Sequence, residues 1–151
     1  VRDFSKIATA VTPNLPELAV LCNQQERDTL EAAISDAQLW AASAHTAVIV
    51  KGGHLRGEVA DNAAVWPSGD VFRVPNPRVK TKNTHGTGCS LSSAVAARLG
   101  AGDDLNKALD WSTRWLREAL VGADALAVGQ GNGPVDHGVR SRRLAAEAGL
   151  L

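Results

Sequence analysis

A layered α/β fold, with strands alternating with helices, is predicted by three observations. Short apolar runs rich in β-branched residues, Ala8-Thr9-Ala10-Val11-Thr12 and Thr46-Ala47-Val48-Ile49-Val50, read as buried strands. Stretches with apolar residues three and four positions apart follow them, the period of a helix with one buried face. Glycine and proline clusters punctuate the boundaries, and alternation of this kind implies α/β layers. At 151 residues and 44% hydrophobic content the chain is the size of one domain and holds enough apolar material for a core.

The elements follow in order. Residues 8–12 form a short strand that Pro13-Asn14-Leu15-Pro16 stops. Asn14 suits a helix N-cap, Pro16 a first turn and Glu17 the acid of a capping box, so a helix runs from Leu15 to about Asn23. A longer helix over 27–43 carries Leu30, Ala33, Ile34, Ala37 and Ala41 on one face. The run 46–50 reads as a central parallel strand ending at Lys51-Gly52-Gly53-His54. Residues 57–65 and 70–74 read as two more strands around a turn at Pro67-Ser68-Gly69-Asp70, and 75–83 as a polar loop. A helix after Cys89 carries Leu91, Val95 and Leu99 and stops at Gly100-Ala101-Gly102. Asp103 or Asp104 caps the next helix, whose stripe is Leu105, Ala108, Leu109, Ser112, Leu116, Ala119 and Leu120, flanked by Trp111 and Trp115. A short apolar segment (123–128), a glycine-rich segment (129–137) and a terminal helix (141–150) close the chain.

Lysine plus arginine and aspartate plus glutamate both total 16. That balance argues against a dedicated nucleic-acid binder, which carries a basic excess. No apolar run approaches the ~18 residues of a membrane span, and no signal peptide is visible. Cys22 and Cys89 suggest no disulfide framework, so a reduced, cytoplasmic setting is expected. The sequence holds no methionine and opens on Val1-Arg2-Asp3-Phe4, and we expect a piece of a longer protein.

The most informative stretch is Lys82-Asn83-Thr84-His85-Gly86-Thr87-Gly88-Cys89, a glycine-spaced loop delivered onto a helix start. Such a junction presents unpaired N–H groups and the positive end of a helix dipole, which suits an anion. A cysteine there is a candidate base or nucleophile, since the position favours the thiolate. The plainer alternative is a glycine turn with Cys89 as a small core residue. No G-x-x-x-x-G-K-[ST] occurs, which excludes a Walker-type site, and no G-x-G-x-x-G is present. Cys89 has no second cysteine at zinc spacing.

Three further segments carry two readings each. Asn14 and Glu17 serve either as helix caps or, at a strand's C-terminal end, as oxygen donors near hydrated Mg²⁺. Lys51 either starts a solvated loop or, at the edge where open α/β sheets bind ligands, neutralises phosphate charge. The segment 129–137 is either a surface loop or a wall against which a flat base approaches the backbone. His45 reads as structural or surface, and Cys22 as packing.

Taken together, Thr12-Pro13-Asn14-Leu15-Pro16-Glu17, Val50-Lys51-Gly52-Gly53-His54, Asn83-Thr84-His85-Gly86-Thr87-Gly88-Cys89 and Gly131-Asn132-Gly133-Pro134-Val135-Asp136-His137 resemble hydroxymethylpyrimidine/phosphomethylpyrimidine kinase of the ribokinase-like superfamily, in order and spacing. The resemblance covers nearly the whole chain. Cys89 is the distinctive position, since most sugar kinases of the superfamily carry Asp there. It implies a Rossmann-like three-layer α/β/α sandwich around a mainly parallel sheet, with this chain as the C-terminal portion of one kinase domain and the N-terminal substrate-binding portion absent.

By the same resemblance the activity is ATP-dependent phosphorylation of hydroxymethylpyrimidine and its monophosphate in thiamine biosynthesis. Gly86, Thr87, Gly88 and Cys89 would form the anion hole, with Cys89 as the base. Lys51, Gly53, Thr84, Gly131 and Gly133 would line the ATP site, and Asn14 with Glu17 would support Mg²⁺. Gln130 and Asn132 stand where the family often has His. The implied partners are a small pyrimidine and ATP, with a homodimer as the family's common assembly and neither nucleic acid nor membrane. Pyridoxal kinase and a non-catalytic nucleotide-binding module are the alternatives. The 151 residues by themselves are expected to be inactive.

Overall fold

The computed structural model describes residues 2–150, apart from the side chains of Arg2 and Phe4. They fall into two compact units, Val1–Arg78 and Val79–Leu151.

The first unit contains a single helical turn α1 (Arg2–Ser5), β1 (Ala10–Val11), α2 (Leu15–Cys22), α3 (Leu30–Ala44), β2 (Ala47–Lys51), a 3-10 turn (Gly52–His54), β3 (Asn62–Val65) and β4 (Val71–Val74). The four strands form one sheet in the order β1-β2-β3-β4. β1 pairs parallel with β2, whereas β2–β3 and β3–β4 are antiparallel. The sheet in this stretch is therefore mixed rather than mainly parallel. The run 46–50 is a buried interior strand as expected, with a parallel neighbour on one side and an antiparallel one on the other. An apolar β-branched run suits both environments.

One face of the sheet carries the core. Val48 and Val50 of β2 and Ala63 and Val65 of β3 pack with Leu15 and Leu18 of α2 and with Leu30, Ala33, Ile34, Ala37 and Ala41 of α3. The five residues assigned to one face of α3 from their spacing are all buried. This helix begins at Leu30 rather than 27, because Thr29 turns extended and its Oγ1 accepts the Ala32 N–H at 3.2 Å. Arg27, left outside, reaches back to Asp36 in a two-pronged contact at 2.7 and 3.1 Å. Cys22 packs against the same core, and burial raises its thiol pKa. His45 is the left-handed C-cap of α3, a structural role.

Only 62–65 of the expected strand 57–65 is regular. Pro75 and Pro77 on the partner segment lack N–H donors, so pairing beyond β4 shrinks to one bridge between Val59 and Pro77. The carbonyls of this irregular segment go to Arg78 instead. Its guanidinium donates to Gly53 O at 2.9 Å, Gly57 O at 2.8 Å, Val59 O at 3.0 Å and Leu55 O. Five donors in a rigid fork make this possible for arginine alone.

The second unit contains α4 (Thr87–Gly100), α5 (Leu105–Gly122), a 3-10 turn (Ala123–Leu126) and α6 (Val139–Glu147). Asp104 caps α5 by accepting the Lys107 N–H at 2.9 Å. Leu91 of α4 packs with Leu116 and Ala119 of α5 and with Val135. Trp111 and Trp115 stack at 6.2 Å, and the guanidiniums of Arg98 and Arg140 lie 5.0 and 4.8 Å from the Trp111 ring. Arg140 also grips Glu118 of α5 with two bonds of 2.9 Å, and Arg143 adds a third. The hydrogen bond from Arg140, then its charge and that of Arg143, hold the Glu118 carboxyl below the usual range. Among the described residues no helix is long and apolar enough to cross a membrane.

Two outcomes test this account. Arg78→Lys cannot serve four carbonyls at once; it is expected to cost about 1–3 kcal/mol in urea unfolding and to expose 53–60 to limited proteolysis. Glu118 has a depressed folded pKa, so its contribution is present above its unfolded value of about 4.3 and disappears as pH falls through the folded one. The urea-midpoint gap between the wild type and Glu118→Gln should therefore be open at pH 7 and close progressively in acid.

Candidate functional site

The first unit brings two candidate groups to one sheet edge. β1 and β2 run parallel, so the segment after β1 and the end of β2 leave at the same side. Asn14 and Glu17 follow β1, and Lys51 ends β2 half-buried. Asn14 Oδ1 accepts the Glu17 N–H at 2.8 Å and Glu17 Oε2 accepts the Asn14 N–H at 2.7 Å, a complete capping box. Both oxygens are thus committed to the helix start. Glu17 is exposed, and its Oε1 lies outside the box. Among the described residues no three His, Cys, Asp or Glu side chains lie together.

The two glycines after Lys51 differ. A Cβ on Gly52 would sit 2.3 Å from the carbonyl oxygen of Asp61, whose bond from the Gly52 N–H measures 2.9 Å. Gly52 is therefore required by close approach. Gly53, the one named as a ligand contact, is exposed with open space beside it.

The second unit carries the loop and the helix start. α4 begins at Thr87, ahead of Cys89 rather than after it, with Gly86 as its N-cap in the left-handed region at φ 82°. No side chain caps this helix. The Thr87 N–H turns back to Thr84 O at 3.4 Å, and Ser90 N–H starts the helical ladder on Gly86 O at 2.9 Å. The N–H groups of Gly88 and Cys89 receive no acceptor among the described residues. Cys89 occupies the third helical position and its side chain is exposed rather than packed in a core. Uncapped N–H groups at the positive end of a fourteen-residue helix suit an anion.

Thr84, His85 and the glycine-rich segment meet through backbone bonding. His85 N–H donates to Gly133 O at 3.1 Å, within a parallel bridge between His85 and Pro134. Asn83 Oδ1 accepts the Gly133 N–H at 2.9 Å, and Asn83 Nδ2 donates to Asp124 Oδ1 at 2.7 Å. Thr81 Oγ1 donates to the same Asp124 oxygen and accepts the Asn83 N–H at 3.0 Å. Gly133 is buried, whereas Gly131 is exposed with nothing near a Cβ. Farther along, Asp136 is buried and paired with Arg142, and Ser90 Oγ and His137 Nε2 are hydrogen-bonded at 2.7 Å. Sequence reasoning gave no role to Asn83, Asp124, Arg78 or His137. Asn83 and His137 lie inside the quoted motifs, but Asp124 and Arg78 have no local signal.

The fold is that of ribokinase-like small-molecule kinases. The ADP complex of the pyridoxal kinase of Bacillus subtilis superposes with a TM-score of 0.84 at 25% identity, over 93% of this chain and 54% of that one. Residues 1–136 match the family model for phosphomethylpyrimidine kinase. The chain belongs to the phosphomethylpyrimidine kinase family. It is 58% identical over 142 residues to the thiamine biosynthesis multifunctional protein ThiED of Corynebacterium efficiens, covering 94% of this chain and 19% of that protein. It is 40% identical over 139 residues to the hydroxymethylpyrimidine/phosphomethylpyrimidine kinase of Rhizobium meliloti, covering 91% and 51%. The chain thus spans about half the length of that kinase, and a smaller share of the multifunctional protein.

The two glycines of the 129–137 segment named as ligand contacts give opposite expectations. A Cβ at residue 133 would lie 2.5 Å from Asn83 Oδ1. Gly133→Ala is expected to displace that amide and cost about 1–3 kcal/mol. Gly131→Ala should stay within about 0.5 kcal/mol. Urea midpoints of the two variants decide.

Proposed function

We propose that this chain supplies the phosphoryl-transfer side of an ATP-dependent kinase for hydroxymethylpyrimidine and its monophosphate, in thiamine biosynthesis. The observation that carries the reading is the uncapped start of α4 behind Gly86, with Cys89 exposed in its first turn, in a chain of the phosphomethylpyrimidine kinase family.

In this reading the N–H groups of Gly88 and Cys89 face the transferring phosphoryl group, whose loose transition state spreads charge over its equatorial oxygens. In the first phosphorylation the substrate's hydroxymethyl oxygen bonds to the γ-phosphorus as the bond to the ADP oxygen breaks; in the second, a phosphate oxygen of the monophosphate is the acceptor. The alcohol proton passes to the Cys89 sulfur. Lys51, which neutralises phosphate charge, and Gly53 are the ATP-binding residues of the first unit in this reading, and Thr84 is one of the second. Gly131 and Gly133 lie on the side of the adenine. Mg²⁺ would supply charge neutralisation on the phosphates. The capping box occupies Asn14 Oδ1 and Glu17 Oε2, so direct ligation by that pair fits poorly. Contact of Glu17 Oε1 with a water of the hydrated ion fits, since Mg²⁺ commonly keeps its waters.

Residues 1–151 form the C-terminal portion of one kinase domain in this reading, and most of the pyrimidine contacts come from outside them. The free thiols of Cys22 and Cys89 fit a reducing, cytoplasmic compartment. A homodimer belongs to the same reading. The likeness to pyridoxal kinase supports a second one, in which pyridoxal is the alcohol.

A kinase assay on the full-length polypeptide carrying this chain separates them. Higher kcat/KM for hydroxymethylpyrimidine than for pyridoxal is expected, and the reverse order would establish the second reading. Cys89→Ala should lower kcat by about 10²–10⁴-fold, the usual contribution of a positioned base. Unchanged turnover would remove Cys89 from the chemistry.

A further inference from the structure

We infer that Asn83 is a positioning residue that sets the spacing between the phosphate turn 84–89 and the base-side segment 131–134. The inference rests on the nucleotide reading above and goes beyond it, since Asn83 belongs to neither subsite.

The geometry is specific to an amide. Asn83 Oδ1 accepts the Gly133 N–H at 2.9 Å while its Nδ2 donates to Asp124 Oδ1 at 2.7 Å. An ionised carboxylate accepts only, so Asp124 fixes which end of the amide faces Gly133. Thr81 ties both partners together, accepting from the Asn83 N–H and donating to Asp124. Gly133 is held on its other side as well, its carbonyl accepting the His85 N–H at 3.1 Å. The residues on both sides of Thr84 are therefore bonded to one glycine, and that glycine is buried with no room for a Cβ. Gly86 and the open start of α4 follow directly. A ligand with an anionic tail in the turn and a flat base on the 131–134 segment has both its ends placed by this clamp. A ligand held by its tail alone does not feel the spacing.

Exchanging the polarity of the pair tests this. Asn83→Asp keeps an acceptor for Gly133 but loses the donor and sets two carboxylates against each other. Asp124→Asn keeps an acceptor for Asn83. The double variant restores the bond in reverse, with the amide at 124 donating to the carboxylate at 83.

In the full-length polypeptide, Asn83→Asp is expected to raise the KM for ATP about tenfold, the scale of one lost charge-assisted hydrogen bond. Asp124→Asn and the double variant should stay within about twofold of the wild type, as a direct pairwise coupling requires. The KM for the pyrimidine and the inhibition constant of tripolyphosphate, which fills the anion turn alone, should not move in any variant. An unchanged ATP KM in Asn83→Asp overturns the inference. So does equal weakening of ATP and tripolyphosphate, the mark of general damage, or a double variant without recovery. If Asn83→Asp fails to fold, the double variant still decides, since an ATP KM raised about tenfold there contradicts the clamp. A wild type that turns over no ATP overturns the kinase reading and this inference together, and is distinguishable from every other outcome.

Discussion

The second unit contains a helix, α4, in whose first turn the N–H groups of Gly88 and Cys89 find no acceptor among the described residues. Backbone donors in folded chains are normally paired, and a helix start is normally capped by a side chain. Asn14, Thr29 and Asp104 do this for α2, α3 and α5. At α4 the N-cap is glycine, which brings no side chain at all. Among the described residues, side chains close those three starts, whereas α4 and α6, with Gly86 and Gly138 as N-caps, have none. The start of α4 is approached by a glycine-spaced loop whose residues are bonded to Gly133. Leaving these donors to solvent costs little, and it keeps them available to an anion.

The loops that carry candidate groups are held by polar side chains rather than by burial. Arg78 gathers four carbonyls of the segment after Lys51, and Asn83 with Asp124 and Thr81 gathers the turn before Gly86. Both solutions answer the same difficulty. A loop that must stay open toward a ligand has no hydrophobic cover, so its backbone groups are fixed by hydrogen bonds from residues behind it. Gly52 and Gly133 add a second requirement, since each lets a group, the Asp61 carbonyl or the Asn83 side chain, approach where a Cβ would stand.

The parts of this architecture legible in the sequence are those encoded locally. Capping by Asn14 and Asp104, the buried face of α3 and the glycine loop at α4 depend on residues within a few positions of one another. The mixed sheet was not legible, because Thr46 to Val50 would read the same beside either kind of neighbour. Arg78 was not legible for another reason: its acceptors lie 19 to 25 residues earlier and are carbonyls, which every residue carries. At Asn14 and Glu17 both readings drew on the same oxygens, and the capping box uses one from each. The distinction between Gly131 and Gly133 also needed coordinates, since it depends on what stands beside each.

The aromatic row of α5 has an optical consequence. Trp111 and Trp115 stack in parallel, the Trp115 ring lies 5.8 Å from the His137 ring, and His137 is bonded to Ser90, the residue after Cys89. Indole emission responds to nearby charge and to ring contacts. The row therefore runs from the first turn of α4 to the guanidiniums of Arg98 and Arg140 as a built-in chromophore. A change at the helix start that moves Ser90 would alter the light from Trp115, with no label attached to the chain.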